Sequence, residues 1–384
     1  VSGEWNAELR GWVEAEAHAA GFDAVGIAGA GEPDTADEAR FSAWIDADKA
    51  GEMEYLKRRD ESGRLIRGAL RIAMPWARSV VVCAMNYNAD APRSIDEAPA
   101  GAGWIGRYAW SGRRDSNDQM VATDYHDELL GRLQRVEAGL TQRVGCVTRC
   151  YVDTGPILER SVAAAAGIGW IGRNTCVIRE GMGSWLLLGV IVTSLDTAEG
   201  VLALTAPDRC GSCTRCIDAC PTGALGPWAA DVLAGAREMD ATRCIAYLTI
   251  EKKGAIAEDL RAAMGRQVFG CDICQEVCPW NRKAPIAAHE GMEARDELIN
   301  PALDWLAAMD AKEFKRRFKG SPLERTGRKR LLRNVAIAMG NSGEAGFLPQ
   351  LETFATQEID PVLGEIAEWA KRKITEGNDT FEPA

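Results

Sequence analysis

The chain has 384 residues, 46% hydrophobic and 26% charged, which allows two or three domains with ample apolar core. Its formal net charge of −11 argues against a surface that coats nucleic acid generally. The longest apolar run, Trp185 to Val192, is far short of the ~20 residues a membrane helix needs, and the polar start Val1-Ser-Gly-Glu4 lacks an export pattern, so a soluble cytoplasmic protein is expected.

Residues 5–20 carry apolar positions at helical spacing (Leu9, Trp12, Val13, Ala17) up to Gly21, and Ala24 to Ala28 is a short run of strand type. Residues 36–60 read as helix, Ser79 to Met85 as a buried strand, and 88–122, rich in Gly, Pro, Asp and Arg, as mostly loop. Tyr125 to Gly145 has the pattern of an amphipathic helix. Cys150 to Asp153 is strand-like, and Thr154-Gly155-Pro156 should then open a helix from Ile157 to Ala166, with proline in its first turn. Val177-Ile178 and Trp185 to Thr193 supply further strands. These elements predict an α+β domain over 1–200, a cysteine-bearing segment over 201–290, and a helical remainder over 291–384 with the look of helical-hairpin repeats.

The middle segment reads Cys210-x2-Cys213-x2-Cys216-x3-Cys220-Pro221, then Cys244, then Cys271-x2-Cys274-x3-Cys278-Pro279. The first run has the spacing in which three thiolates hold one cubane and the fourth crosses to a second. The second run lacks the matching thiolate, since Val268 stands at that position. Counting gives Cys210, Cys213, Cys216 and Cys278 to one [4Fe–4S] cluster, and Cys220, Cys271 and Cys274 to the other, with Cys244 completing the set. Zinc ribbons need neither the third x2 step nor the Cys-Pro, and ligand-type spacing without a secretory signal disfavours disulfides. Cys83, Cys146, Cys150 and Cys176 lie outside the pattern and read as core.

Gly167-Ile-Gly169-Trp-Ile-Gly172 matches G-x-G-x-x-G literally, but a helix precedes it and strand-like sequence follows, so it reads as a turn admitting close backbone approach rather than a dinucleotide site. Asp153 by residue type is an Asx turn or a helix cap; partly removed from water, its carboxyl would have a raised pKa and could act as a general acid. Glu159 and Arg160 read as a structural pair within one helix. No Asp-x-His-x-x-Gly segment exists to bind a corrinoid through histidine. Between Ala311 and Arg333 lie ten basic and two acidic residues, a net of +8 that leaves −19 elsewhere. That segment suits a polyanion held at one place, or a solvated helical face.

Several stretches taken together resemble the epoxyqueuosine reductases, cobalamin-dependent iron–sulfur enzymes that complete queuosine in tRNA. They are Gly51-Glu-Met-Glu-Tyr-Leu56, Arg107-Tyr-Ala109, Asp124-Tyr-His126, Tyr151-Val-Asp-Thr-Gly-Pro-Ile-Leu-Glu-Arg160, Ala166 to Thr175, Gly183 to Gly189, Arg243 to Glu251, Phe269 to Asn281 and Arg333 to Asn341. The resemblance implies a nitroreductase-like core holding cobalamin, a ferredoxin-like module with two [4Fe–4S] clusters, and a HEAT-like C-terminal segment. It makes Asp153 the proton donor and puts Arg58, Tyr108, Asp153, Asn174, Val177, Leu188 and Asp272 at corrinoid-pocket positions, with no histidine below cobalt. The expected reaction is reduction of epoxyqueuosine to queuosine at the tRNA wobble base by a monomer served by a separate electron donor. Lys315, Arg316, Lys319, Arg328, Lys329 and Arg330 would hold tRNA phosphates. A cobalamin-dependent reductive dehalogenase is the alternative enzyme, and a ferredoxin-like electron carrier the alternative class. The chain departs from the family pattern at the intervening Ser111 to Thr123, at Val190 and at Cys176.

Overall fold

A computed structural model describes residues 3–31, 36–197, 205–226, 237–357 and 360–378; the expected boundary near residue 200 lies outside them. Helix α1 (Ala7–Ala19) starts where Asn6 Oδ1 accepts the Leu9 amide at 2.8 Å, satisfying one of the helix's unpaired N–H groups. Strands β1 (Ala24–Gly29) and β2 (Ser79–Asn86) pair antiparallel, Ala24 opposite Ala84. Helix α2 (Tyr125–Val144) is capped by Asp124 and ends at the left-handed Gly145. Then come β3 (Thr148–Tyr151), α3 (Glu159–Ala165), the short antiparallel pair β4 (Trp170–Ile171) and β5 (Val177–Ile178), and β6 (Leu186–Thr193). The main sheet is antiparallel in the order β1–β2–β6–β3.

Every residue of β2 is buried, because both faces of the sheet are covered. Val81, Cys83 and Met85 point to the face where α1 and α2 lie; Val80, Val82 and Ala84 point to the other, against Ile157 and Ala163. Helix α2 supplies Leu129, Leu133, Val136 and Leu140 at the spacing of one helical stripe. Burying each such side chain stabilises the fold by roughly 1.5–3 kcal/mol.

Three expectations are revised. The helix over 36–60 is Ala36–Asp46 followed by turns, with Asp48 and Gly51 both at positive φ. The helix after Pro156 begins at Glu159, so proline sits before the first turn, in the bend that carries Asp153. The stretch from Ser111 to Thr123 contains a hairpin, Ser111–Arg114 against Met120–Ala122, joined on its other side by Glu293–Ala294.

The C-terminal part contains α4 (Ala311–Phe318), α5 (Gly327–Ser342), α6 (Leu348–Gln357) and α7 (Pro361–Asn378). Residues Leu331 to Gly340 of α5 are all buried, so this helix is a core element. One apolar cluster joins it to Ile105, Trp110, Tyr247, Leu248 and Phe269. Asn334 donates to the carbonyls of Thr249 and Val268, each at 2.9 Å, and Arg333 donates to those of Lys252 and Gly254, each at 2.8 Å. The cysteine-bearing segment and the terminal helices are thus welded through one core. Among the described residues no helix is long and apolar enough to cross a membrane.

Candidate active site

Beyond β3 the chain turns sharply, and Asp153 takes a left-handed φ of 60°, a conformation aspartate tolerates better than most residues. Its N–H donates to Glu159 Oε1 at 2.7 Å. This fixes the turn that carries the carboxylate, whose side chain is 63% exposed. There Oδ2 accepts from the Tyr125 hydroxyl at 3.0 Å and lies 3.7 Å from His126 Nε2. Nδ1 of His126 is 2.7 Å from Asp124 Oδ1 and 2.9 Å from a guanidinium nitrogen of Arg325, which also binds the other oxygen of Asp124. A continuous polar chain therefore runs Asp153–His126–Asp124–Arg325. Its middle members sit at the N-cap of α2, where Asp124 also accepts the His126 amide.

The electrostatics reverse one expectation. Hydrogen bonding to His126 holds the Asp153 carboxyl below the usual carboxylate range despite desolvation, with Tyr125 assisting. Burial alone would lower the His126 pKa, but its bonds to Asp124 and Asp153 outweigh that and raise it. The proton of this pair is therefore displaced toward the imidazole. Glu159 behaves in the opposite sense: burial, then the neighbouring charge of Asp153, push its carboxyl up to about 7. Nor does Glu159 pair with Arg160, which instead donates to the Thr175 carbonyl at 2.9 Å.

The cysteines of the middle segment lie within electrostatic reach of one another. Cys216 faces the charge of Cys278 and Cys210, and Cys278 that of Cys210 and Cys213. Cys271 faces Cys244 and Cys220, while Cys274 faces Cys271 and Cys244. Burial raises the thiols of Cys216, Cys244, Cys271, Cys274 and Cys278, Cys216 to about 11, so a bound cation is needed to hold these five as thiolates. Among the described residues no group of three or more His, Cys, Asp or Glu is arranged to hold a single metal ion. Cys83 and Cys146 are buried as expected, whereas Cys150 and Cys176 are only half-buried; Cys176 faces both Cys274 and Cys278.

The glycine motif builds part of the same wall. A Cβ on Gly169 would sit 2.1 Å from the Ile178 carbonyl, so only glycine lets β4 close on β5. This seats Trp170 against Cys278, edge-on to Trp280 at 5.0 Å, with Cys210 at the rim. The turn that follows carries Asn174, whose Oδ1 accepts the Cys176 amide at 3.2 Å while its Nδ2 is buried without a partner.

Tyr108 stands edge-on to Tyr125 at 5.9 Å and feels the charges of both Asp272 and Asp153. Asp272 accepts the Arg107 amide at 2.7 Å, and burial pushes its carboxyl up to about 6. Val177 is buried in the sheet's core, Leu188 is half-buried opposite Ala84, and Arg58 is exposed, its carbonyl held by the Ile66 amide. Of the basic positions, Lys315, Arg316, Lys319 and Lys329 face outward, Arg316 pairing with Glu313 at 2.6 Å. Arg328 and Arg330 donate to the Met309 and Thr326 carbonyls, each at 2.7 Å. A cavity of about 510 Å³ lies beside them, lined by Lys253, Thr326, Arg328, Lys329 and Arg330 among others. Sequence reasoning assigned no role to Tyr125, His126 or Arg325. The run Asp124-Tyr-His126, three chemistry-bearing residues at a helix start, was the signal available.

A profile described as a 4Fe-4S double cluster binding domain matches residues 209–281, and one described as epoxyqueuosine reductase QueG, DUF1730, matches 67–154. The epoxyqueuosine reductase of Xanthomonas campestris pv. campestris is 37% identical over 348 residues, 88% of each chain. That of Escherichia coli K12 is 34% identical over 358 residues, 91% of this chain and 85% of the relative. An epoxyqueuosine reductase solved with an epoxyqueuosine-modified tRNA-Tyr stem loop superposes with a TM-score of 0.80 at 29% identity, covering 96% of this chain and 90% of that one. The Bacillus subtilis enzyme, solved with its catalytic aspartate loop swung out of the active site, gives 0.79 at 29% identity over the same shares of the two chains. The chain belongs to the epoxyqueuosine reductase family, and it is an oxidoreductase with a domain for two [4Fe–4S] clusters.

Proposed function

We propose that this protein reduces the epoxide of epoxyqueuosine in tRNA to give queuosine and water, consuming two electrons and two protons. One observation carries the reading at the level of chemistry: Tyr125, which bonds Asp153, stands edge-on to Tyr108, Tyr108 feels the charges of both Asp153 and Asp272, and Asp272 directly follows Cys271 of the cluster-binding segment. A proton-bearing group and the electron-carrying segment thus lie within electrostatic reach of one tyrosine. The relative crystallised with a modified stem loop supports RNA as the substrate.

The donor set fits the cofactors this reading requires. Two groups of four thiols suit two cubanes, Cys210, Cys213, Cys216 and Cys278 for one and Cys220, Cys244, Cys271 and Cys274 for the other. For a corrinoid, the buried Asn174 Nδ2, without a partner among the described residues, is a donor suited to a corrin amide, and Tyr108, within reach of the charges of Asp153 and Asp272, would be a second contact. Arg58, Val177 and Leu188 would line it further out. When bound, the clusters deliver electrons singly and cobalamin supplies a low-valent metal centre able to reduce the substrate.

The protein's own residues handle the proton. Asp153 delivers it to the departing oxygen, which would otherwise leave as a costly anion. His126 holds that proton in reserve, and Asp124 with Arg325 fixes the imidazole's orientation. Tyr125 sets the carboxylate's direction, and Glu159 holds the backbone of its turn. Lys315, Arg316, Lys319 and Lys329, with Arg328 and Arg330 along the neighbouring cavity, would meet RNA phosphates. The modified base must then be turned out of its stack to reach Asp153.

The same reading takes residues 1–200 as a nitroreductase-like unit, 201–290 as a ferredoxin-like unit and 291–384 as a HEAT-like one. It makes the protein a cytoplasmic monomer that receives electrons from a separate donor. The test uses anaerobically reconstituted protein given epoxyqueuosine-bearing tRNA or a haloaromatic. Queuosine formation is expected with the first and no halide release with the second. Asp153→Asn should keep iron, sulfide and cobalt contents while turnover falls about 10²–10⁴-fold. Undiminished turnover would remove Asp153 from the mechanism.

A further inference from the structure

Trp170 carries the only polar side-chain group of the glycine motif, and the proposed reaction gives it no work. It is 4% exposed, and its Nε1–H is buried with no hydrogen-bond partner among the described residues. A buried indole N–H without an acceptor is costly, so a bound group able to accept its proton fits the site. The surroundings identify its chemistry. Trp170 packs in one cluster with Ile178 and Cys278, with Cys210 and Trp280 at the rim. From the same turn, Arg173 donates to the Gly211 carbonyl at 2.9 Å, strapping β4–β5 onto the loop between Cys210 and Cys213. The glycine spacing maintains this contact, because Gly169 permits the β4–β5 approach and Gly167, at a φ of 72°, permits the turn before it.

We propose that Trp170 Nε1–H donates a hydrogen bond to a sulfur of the cluster held by Cys210, Cys213, Cys216 and Cys278, and that this bond raises the reduction potential of that cluster alone. The sign follows from charge. Reduction adds one negative charge to the cluster, a donor proton stabilises the more negative state, and the couple moves upward. The other cluster, whose ligand Cys271 lies beside Tyr108 and Asp272, has no part in the Trp170 contact. The first ligand run is also the more open to solvent, with Gly211, Ser212, Thr214 and Arg215 all exposed. Electrons from a soluble donor therefore meet the Trp170-bonded cluster first. A higher potential there favours uptake and leaves the second cluster as the stronger reductant beside the catalytic space.

The experiment is an EPR-monitored redox titration of the reconstituted holoprotein, wild type against Trp170→Phe, which keeps the packing and removes the N–H. The midpoint of one cluster is expected to fall by the equivalent of about a tenfold weaker reduction equilibrium, ~59 mV for a one-electron couple. The other midpoint, and the iron and sulfide contents, should not change. Two unmoved midpoints with full iron content would overturn the proposal, as would a shift in both. Should Trp170→Phe fail to load, wild-type protein labelled with 15N-tryptophan answers directly. Pulsed EPR of the reduced protein then shows an indole 15N coupling with an exchangeable proton, or its absence sinks the assignment.

Discussion

Asp153 occupies a backbone region that most side chains avoid, and the Glu159 carboxyl on its N–H helps keep it there. Glu159→Gln retains an acceptor oxygen while removing the ionisation near 7, so steady-state turnover should stay within several-fold of wild type. Glu159→Ala releases the turn and should cost about 10–100-fold with cofactor content intact. The linkage for Glu159 has a definite sign. Its folded pKa lies above the ordinary value, so stability falls as pH rises from about 4.5 to about 7. Glu159→Gln should flatten that slope in chemical denaturation. For His126 the folded pKa is also raised: its pairing stabilises fully below about 6.5 and is lost as pH rises through the folded value. Asp153, held low, contributes above about 3.9 and loses this as pH falls. Turnover should therefore decline on the alkaline side as His126 deprotonates, and His126→Gln should abolish that limb. The double-cluster segment was legible because cluster spacing is a local property of the chain. The environment of Asp153 was not: Tyr125 reaches it from 28 residues away, and Arg325 reaches His126 across 199. Burial suggested a raised Asp153 pKa, and only the imidazole's position turns it downward.

The G-x-G-x-x-G run shows what an element contributes beyond its pattern. Read for its neighbours, it lacked the strand-then-helix context of a nucleotide loop, and that was visible in sequence. Its use as the strap beside Cys210 and Cys278 was not, since those cysteines lie more than thirty residues downstream. Gly169→Ala should be poorly tolerated, costing at least about 1–3 kcal/mol as the Ile178 carbonyl is forced away. Gly29→Ala is the control, because a Cβ there meets nothing within 4 Å. Comparing their denaturation midpoints separates crowding from a general effect of losing glycine. The hairpin in the stretch from Ser111 to Thr123 went unread for a plain reason: its strands are short, rich in arginine and half exposed, and carry no apolar alternation.

Charge at the scale of the whole molecule is divided between an acidic body and a basic segment, but the structure sorts that segment into two uses. Arg333 spends its donors on main-chain carbonyls, whereas Lys315, Lys319 and Lys329 face water. Lys319→Glu with Lys329→Glu should weaken tRNA binding and make the slope of log affinity against log salt shallower by about 1–2, leaving iron content unchanged. Arg333→Ala should instead destabilise the fold, because its buried guanidinium holds the turn after Ile250. An unaltered salt slope in the double variant would place the RNA elsewhere.

Arg325 stands near the start of α5, yet its guanidinium rests on Asp124 and His126. The last quarter of the chain therefore lends a cation to the Asp124–His126 pair at the start of α2. It cannot be trimmed as though it were a detachable handle for RNA. A shortened descendant would have to find a substitute positive charge beside Asp124, or accept a slower enzyme even on a substrate too small to need the handle.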